Sequence, residues 1–285
     1  MKIDYHMHFE RGSYDCDWAE GFFQAAAARG LDDVGFTEHS HGFPEFRELY
    51  YDDLTLDDSP VGAFQEVWLT KNKFKYTIDE YFSFMERLKQ QGHPAKISME
   101  VCNFQDQGKV KDILARYDFD YLIGSVHFVW GWGFDASAVQ EEFTRHPLQA
   151  IYDAYATEVE KLCASGLYDV LGHPFNLRVY RHLPDFDVTP YLERVARAVK
   201  KADMAIDINT GTLYRYPIAE ISPYPDFMAV AADYDLPVIT SSDAHEPEDC
   251  GAYIDEAVAY AKKFGYDKQL YFSGRDRKFV PLGER

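Results

Sequence analysis

No uninterrupted apolar run of about 18 residues, the length that a bilayer-spanning helix needs, occurs in this sequence. The first ten residues, MKIDYHMHFE, lack the apolar segment of a secretory signal peptide. Cysteine is also scarce: the four cysteines, Cys16, Cys102, Cys163 and Cys250, form no CxxC pair, which predicts free thiols in a reducing compartment. These absences predict a cytoplasmic protein that is neither secreted by a signal peptide nor membrane-spanning.

Positive charge is scarce as well. The 29 Lys and Arg residues are outnumbered by 48 Asp and Glu residues, so the formal net charge is −19. A field of that sign repels nucleic acids and anionic membranes at long range, and we expect neither as a partner. A small phosphorylated substrate remains compatible, because bound metal cations can reverse the sign of the field locally. The sequence makes no prediction of the oligomeric state.

The chain shows no internal repeat, low-complexity tract or linker, which predicts a single domain over residues 1–285. Short β-type runs alternate with helical stretches, the pattern of an α/β fold with a mainly parallel sheet. The seven predicted strands are Ile3–His6, Val34–Thr37, Lys96–Val101, Tyr121–Val126, Val170–Gly172, Ala205–Asn209 and Pro237–Thr240. The predicted helices are Trp18–Arg29, Ile78–Gln91, Lys109–Arg116, Leu148–Ser165, Pro190–Lys201, Pro225–Tyr234 and Ala252–Phe264, with Asp17 as the N-cap of the first.

Two segments exceed what a tight α/β repeat needs. Gly42–Tyr76 is long, acidic and aromatic, and Val129–Pro147 is rich in Trp and Gly. Long loops in compact domains often serve as lids or binding loops, and we expect such a role for both segments.

The histidines are concentrated where strands end. Six of the ten lie at or just after the end of a predicted strand: His6, His8, His39, His127, His173 and His245. Glu100 and Asp243 occupy equivalent positions. A lone histidine at a strand end is usually a hydrogen-bonded core or surface residue, so the prediction depends on the joint placement of all six. For the other four we expect ordinary surface roles, with His41 the first exception to consider: His41, His93, His146 and His182.

In a parallel barrel these strand ends gather on one face, where barrel active sites lie. Residues two apart in an extended strand point to the same side, so His6 with His8, and Asp243 with His245, can each grip a common centre. Imidazole and carboxylate ligands together suit Zn²⁺, Fe²⁺ or Mn²⁺. The number of ligands exceeds what one tetrahedral ion needs. The sequence therefore predicts two or three divalent metal ions, with Glu100 as a bridging ligand.

The ordered motifs resemble the polymerase and histidinol phosphatase (PHP) superfamily over nearly the whole chain. The motifs that carry the resemblance are His6-Met7-His8, Thr37-Glu38-His39, Met99-Glu100, Gly124-Ser125-Val126-His127, Gly172-His173-Pro174 and Ser242-Asp243-Ala244-His245. Further segments are similar to its histidinol-phosphate phosphatase branch: residues 120–127, Gly131-Trp132-Gly133-Phe134-Asp135, Ile208-Asn209-Thr210 and Pro217-Ile218-Ala219-Glu220.

The resemblance implies a distorted (βα)₇ TIM-like barrel that holds a trinuclear metal centre. Carried over by position, His6, His8, Glu100 and Asp243 hold one metal, and Glu100, His127 and His173 hold a second. His39 and His245 hold the third, to which the family commonly adds a His from the loop after the first strand; this chain offers Glu10 instead. The chain also departs from the family after His173, where Phe175 and Asn176 stand in a neighbourhood that often contains an Asp.

The resemblance further implies a phosphoric monoester hydrolase that uses a metal-activated water, with L-histidinol phosphate as the expected substrate and L-histidinol and phosphate as products. The residues predicted to act in catalysis are Glu100, Asp243, His245 and Arg215. A guanidinium suits phosphate oxygens, and Arg215 is the first choice for that contact, followed by Arg11, Arg178 and Arg181. The substrate ammonium needs an acidic or aromatic partner, for which the long segments offer Glu45, Asp135, Trp130 and Trp132.

Three alternatives stay open at this point. The chain could be a PHP phosphodiesterase or exonuclease acting on nucleotides, although its net charge disfavours that function. It could be a phosphatase for another small phosphomonoester. It could also be a non-catalytic metal-binding or regulatory barrel.

Overall fold

Seven parallel strands surround the centre of the molecule in the computed structural model, which describes residues 1–71 and 73–283. The strands are β1 (Ile3–Asp4), β2 (Asp33–His39), β3 (Lys96–Cys102), β4 (Ile123–Ser125), β5 (Phe128–Val129), β6 (Trp132–Gly133), β7 (Val170–Leu171), β8 (Ala205–Asn209), β9 (Val238–Ser241), β10 (Lys268–Ser273) and β11 (Asp276–Pro281). The parallel sheet has the order β1-β2-β3-β4-β7-β8-β9, and its β2/β3 register pairs His39 with Glu100. All seven predicted barrel strands are confirmed.

The first and last strands of this sheet approach each other. The backbone N–H of His8 donates to the carbonyl of Ala244 at 2.8 Å, and Met7 forms a parallel bridge with Ala244. These contacts nearly close the sheet, so the predicted (βα)₇ TIM-like barrel is confirmed. Because every barrel strand runs in the same direction, all their carboxyl ends open on one face.

Helices separate the barrel strands along the chain, as expected for a βα barrel. They are α1 (Cys16–Arg29), α2 (Arg47–Asp53), α3 (Pro60–Thr70), α4 (Ile78–Gln90), α5 (Gln107–Leu114), α6 (Leu148–Ala164), α7 (Thr189–Lys201), α8 (Gly211–Arg215), α9 (Pro225–Asp233) and α10 (Ile254–Lys263). Short 3₁₀ turns cover Ser40–Gly42, Pro44–Phe46, Ser137–Arg145, Asn176–Arg178 and Pro247–Asp249. The predicted helices are confirmed to within a few residues. The predicted cap of α1 is wrong: Asp15, and not Asp17, accepts a hydrogen bond from the Trp18 N–H.

The segment Gly42–Tyr76 is not an extended loop, and that prediction is wrong. It contains α2 and α3, and α3 begins where the Ser59 hydroxyl accepts from the N–H of Gly62 after Pro60. The side chain of Tyr50 in α2 is fully buried. This segment therefore packs as part of the core.

The segment Val129–Pro147 begins within a two-residue hairpin between β5 and β6. Its turn residues, Trp130 and Gly131, have φ values of 53° and 76°, the left-handed backbone that such turns need. Trp130 is 53% exposed at this turn, whereas Trp132 is buried. The segment is therefore an ordered hairpin followed by a 3₁₀ turn, and Asp135 follows β6.

The amino-terminal end of the barrel is filled by apolar side chains. Tyr5 and Tyr121 pack inside it, with ring centroids 5.2 Å apart, and Phe272 of β10 stacks on Tyr121 at 4.9 Å. The β10/β11 hairpin thereby covers this end of the barrel, and Phe272 is completely buried. Apolar packing at one end leaves the polar strand ends concentrated at the other.

All four cysteines are free, as predicted.

Candidate metal centre

Glu100 lies at the centre of the carboxyl face, 1% exposed, among imidazoles from four different strand ends. Its Oε1 atom is 2.8 Å from Nε2 of His173, 3.5 Å from Nε2 of His127 and 3.6 Å from Nε2 of His6. Its Oε2 atom is 3.1 Å from Nε2 of His39. The carboxylate therefore has the position expected of a bridging ligand.

Asp243 forms the second acidic point of the cluster. Its Oδ1 atom lies 3.4 Å from Nε2 of His8 and 2.7 Å from Nη1 of Arg215. The backbone carbonyl of Asp243 lies 2.9 Å from Nδ1 of His245. This contact directs the other ring nitrogen of His245 away from the backbone and toward the cluster.

Glu10 connects the cluster to its rim. Its Oε1 atom lies 3.3 Å from Nε2 of His245, and its Oε2 atom lies 3.3 Å from Nδ1 of His39 and 3.7 Å from Nε2 of His41. His41 is buried, so the prediction of a surface role is wrong for this residue. Lys73 places its ammonium 3.3 Å from Nε2 of His41. The expected replacement of the family's loop histidine by Glu10 is thus compatible with the geometry.

The donor set fits divalent metal ions. Buried ring nitrogens without a hydrogen-bond partner recur among the described residues of the cluster: His6 Nε2, His8 Nδ1 and Nε2, His39 Nδ1, His41 Nδ1 and His173 Nδ1. An unpaired buried polar atom costs about 1–3 kcal/mol, and so many at one place fit a site that binds cations. Four groups of three have ligand atoms within 4.8 Å of one another: His8, His39 and His245; His6, His8 and Glu100; Glu10, His39 and His41; and Glu100, His127 and His173.

Asp207 supports the cluster from behind and was missed in the sequence. Its Oδ2 atom lies 2.8 Å from Nδ1 of His6 and accepts from the side-chain amide of Asn209, while Oδ1 accepts from Ser241. A carboxylate at Nδ1 keeps the proton there and leaves the Nε2 lone pair for a metal. The available signal was an acidic residue in an otherwise uncharged strand, Ala205–Asn209, on the same face as Asn209.

The electrostatics keep the carboxylates ionised but divide the imidazoles. Despite burial, nearby carboxylates raise the pKa of His6, His39 and His173, whereas burial lowers that of His8, His127 and His245. Burial raises the pKa of Glu100, but the neighbouring imidazoles outweigh it and hold that pKa well below its usual range. Burial also opposes ionisation of Asp243, yet Arg215 and the adjacent histidines keep its pKa low. Burial, reinforced by His39, lowers the pKa of His8 to about 3. Ionised carboxylates and neutral imidazoles are the forms that bind metals.

A small pocket opens over the cluster. Its walls include Asp135, Thr212, Arg215 and Tyr216 together with several of the predicted ligands. Asp135 Oδ2 lies 3.7 Å from Nε2 of His127. Of the four residues considered for the substrate ammonium, only Asp135 lines this pocket.

The four predicted arginines occupy different surroundings. Arg215 lines the pocket. Arg11 is half exposed and donates to Glu246 at 3.3 Å. The two others are engaged outside the pocket lining, where Arg178 lies 3.6 Å over the ring of Tyr224 and Arg181 donates to the Pro217 carbonyl. The structure therefore brings only Arg215 to the centre, and substrate binding by the other three stays a prediction.

Within residues 1–71 and 73–283, no helix has the length and apolar character needed to cross a membrane.

The chain is 29% identical to a Deinococcus radiodurans protein named probable histidinol-phosphatase, over 98% of each chain. A Clostridium acetobutylicum protein of the same name is 22% identical over 74% of this chain and 82% of its own length. The solved histidinol phosphate phosphatase of Lactococcus lactis, described as complexed with Zn, L-histidinol and phosphate, superposes with a TM-score of 0.72. That superposition covers 97% of this chain and 98% of the other at 20% identity, and it supports the fold.

The family comparison covers most of the barrel. The model of the PHP domain matches residues 4–211, which include β2 to β8 and every predicted ligand except Asp243 and His245. The chain belongs to the PHP domain family.

Proposed function

We propose that this chain is a metal-dependent phosphatase that hydrolyses L-histidinol phosphate to L-histidinol and phosphate. The observation that carries the proposal is the placement of Glu100 among imidazoles from four strand ends, beside a pocket lined by Arg215. The names of the Deinococcus and Clostridium relatives support the same activity. The ligands bound by the Lactococcus protein support the same substrate.

We assign the metal ligands as the family resemblance implies, in agreement with their contacts. His6, His8, Glu100 and Asp243 would hold one ion, and Glu100, His127 and His173 a second. A third would use Glu10, His39 and His245, with His41 beside Glu10. Two or three ions of Zn, Fe or Mn fit these nitrogen and oxygen donors. When bound, such cations supply Lewis acidity, which lowers the pKa of water and neutralises charge on the phosphoryl group.

The protein's own residues account for substrate placement. The Arg215 guanidinium is fixed by Asp243 at 2.7 Å, which leaves its remaining N–H groups for the phosphate oxygens of a substrate in the pocket. Asp135, which lies beside His127 in the same pocket, can accept hydrogen bonds from the ammonium of the amino alcohol. A cation and an anion at separate points of one pocket favour a substrate that carries both charges.

We also propose that the chain forms one catalytic domain. Asp243 and His245 follow β9, beyond the matched segment, yet they lie against His8 and Glu10 from the first strand end. The centre is therefore assembled from both ends of the chain. The cytoplasmic location stays a prediction from the sequence.

Steady-state assays with Mn²⁺, Zn²⁺ or Fe²⁺ test the proposal. We expect kcat/KM for L-histidinol phosphate to exceed that for p-nitrophenyl phosphate by about 100-fold, equivalent to about 2.7 kcal/mol of transition-state binding to the groups that p-nitrophenyl phosphate lacks, such as the ammonium at Asp135. Equal values would contradict the substrate assignment. Faster cleavage of a labelled oligonucleotide would support the phosphodiesterase alternative, and metal binding without turnover of any ester would support a regulatory barrel.

A further inference from the structure

The outer ring nitrogens of the candidate ligands do not all have the same kind of partner. Nδ1 of His6 faces the carboxylate of Asp207, and Nδ1 of His245 faces a backbone carbonyl. Nδ1 of His127 instead lies 3.2 Å from Sγ of Cys102. Cys102 is 4% exposed and lies on β3, two residues beyond Glu100. A thiol therefore stands where metal-binding histidines usually have an oxygen acceptor.

The thiol is itself held by a chain of hydroxyl groups. Oη of Tyr50 lies 3.2 Å from Sγ of Cys102, and Oγ of Ser40 lies 2.8 Å from Oη of Tyr50. The backbone N–H of Cys102 completes the loop by donating to Oγ of Ser40 at 3.4 Å. Ser40 directly follows His39, so the chain runs from one candidate ligand to the neighbour of another.

We propose that Cys102, Tyr50 and Ser40 form a hydrogen-bond relay that positions His127 as a metal ligand. The proposal rests on the proposed function. If Nε2 of His127 offers its lone pair to a metal, Nδ1 must carry the proton and donate to Sγ of Cys102. The thiol then donates to Tyr50, and Tyr50 donates to Ser40. This direction satisfies all three contacts and leaves Nε2 free to bind.

The surroundings make the relay rigid. Tyr50 is fully buried, and its ring packs against Phe104 and Phe128 with centroids 4.8 and 5.9 Å away. The backbone of His127 is fixed separately, because Oδ1 of Asn103 accepts from its N–H at 3.0 Å. Backbone and ring of His127 are thus held by consecutive residues of one segment, Cys102 and Asn103.

The relay gives a role to the segment 42–76, which the sequence suggested as a lid. Tyr50 is contributed by α2, the first helix of that segment. Among its described residues, 42–71 and 73–76, none lines the pocket over the cluster. The segment supports the centre from behind, and its hydroxyl group reaches His127 through the Cys102 thiol.

The closing experiment compares Cys102→Val, Cys102→Ser and Tyr50→Phe by Zn²⁺ affinity, measured against a chromophoric chelator without substrate. We expect Cys102→Val to weaken the binding of one ion by about 10- to 100-fold, the usual effect of losing an outer partner. Cys102→Ser restores the acceptor, because a hydroxyl replaces the thiol in the same hydrogen bonds. Its affinity for Zn²⁺ should therefore stay within about 3-fold of the parent's. Tyr50→Phe should lie between them.

A space-filling role predicts the opposite order, in which Val matches the parent and Ser is the weaker binder, and that order would overturn the relay. Cys163→Val is the matched control, since Cys163 is a buried cysteine on α6 away from the cluster. The absorption spectrum of the Co²⁺-loaded protein should change in Cys102→Val and Tyr50→Phe but not in the control. If Cys102→Val does not fold, an unchanged affinity and spectrum in Tyr50→Phe would still overturn the proposal. A parent protein that binds metal but hydrolyses no ester would refute the proposed function without affecting this test.

Discussion

Oδ2 of Asp207 lies 2.8 Å from Nδ1 of His6, and neither side chain has any exposed surface. Asp207→Asn keeps the shape of the side chain but removes its charge, and the amide can present N–H to the imidazole. We expect the affinity for one Zn²⁺ to fall by about 10- to 100-fold, because an oriented carboxylate strengthens a histidine ligand. Chelator competition measures this loss, with exposed Asp185→Asn as control. Equal affinity in both variants would show that Asp207 serves only to fill the core.

Glu100→Gln tests the central carboxylate, which contacts His6, His39, His127 and His173. A neutral amide cannot balance several cations, so we expect loss of at least one bound ion and a fall in kcat/KM of about 1000-fold or more. Elemental analysis of the purified variant measures the first effect and steady-state kinetics the second. Retention of the parent metal content would contradict the bridging assignment.

Removal of metal should destabilise the parent protein. Ions that bind only the folded state contribute about 2.7 kcal/mol at a free concentration of 100 times Kd, so a chelator should lower Tm. The Glu100→Gln variant should respond much less to the same chelator. Differential scanning calorimetry with and without chelator measures both. An identical shift in the two proteins would place the stabilising ion elsewhere.

Arg215→Lys tests the phosphate contact. Lysine keeps the charge but lacks the planar fork, so we expect KM for L-histidinol phosphate to rise about 10-fold, near 1.4 kcal/mol of lost binding. Arg178→Lys is the informative control, because Arg178 was also predicted to bind substrate but lies over Tyr224 outside the pocket lining. A similar rise in both variants would restore Arg178 to the substrate site.

The rim of the centre predicts two effects of opposite sign. Glu10→Gln should weaken the third ion, because its carboxylate lies 3.3 Å from ring nitrogens of both His39 and His245. Lys73→Met should strengthen the same ion by about five-fold, since it removes a positive charge worth about 1 kcal/mol at 4 Å in high dielectric. Lys109→Met is a matched control, because Lys109 pairs with the exposed Glu48.

Metal titration of these three variants decides the point. If Lys73→Met weakens binding of the third ion, the ammonium of Lys73 supports the third site instead of opposing it. That result would contradict the assignment of Glu10 as a metal ligand.

Phe272→Ala tests whether the stability of the fold can be lowered without changing the metal centre. The ring is fully buried against Tyr121 at the amino-terminal end of the barrel, so we expect a loss of about 3–5 kcal/mol in the free energy of unfolding. Urea denaturation of the metal-free protein measures it. Zn²⁺ affinity of the folded variant should stay within about three-fold of the parent. The Phe272 ring packs against Tyr5 and Tyr121 at the end of the barrel opposite the cluster, and distant sites act independently. A larger change would mean that the hairpin also shapes the metal site.

The candidate ligands could be proposed from the sequence because their signal is local. Strand ends are recognisable from apolar runs, and an imidazole after several of these runs, as at His127 and His173, follows directly from the order of residues. The outer partners were not, because Asp207 and His6 are 201 residues apart and meet only when the barrel closes. Tyr50 was hidden for a different reason: its helix of seven residues is too short to show an apolar stripe.

The β10/β11 hairpin was missed despite a usable signal. Leu270 and Phe272 are buried, whereas Tyr271 is partly exposed and Ser273 exposed before the turn at Gly274, a pattern typical of a half-buried hairpin. Its contribution to the barrel interior could not be read from that pattern, because the partners Tyr5 and Tyr121 are distant in the chain.

The pairing of His39 with Glu100 across β2 and β3 makes the alignment of these strands a condition for cation capture. A slip of β3 by a single residue would present Met99 or Val101 at that point and turn the acid toward the helices. Both replacements are apolar and fully buried as they stand, so the core could accept the error more readily than the centre could. Molecules with this shifted register would keep their helices but would not bind zinc. The number of zinc ions bound per chain would therefore measure the fraction of correctly folded protein.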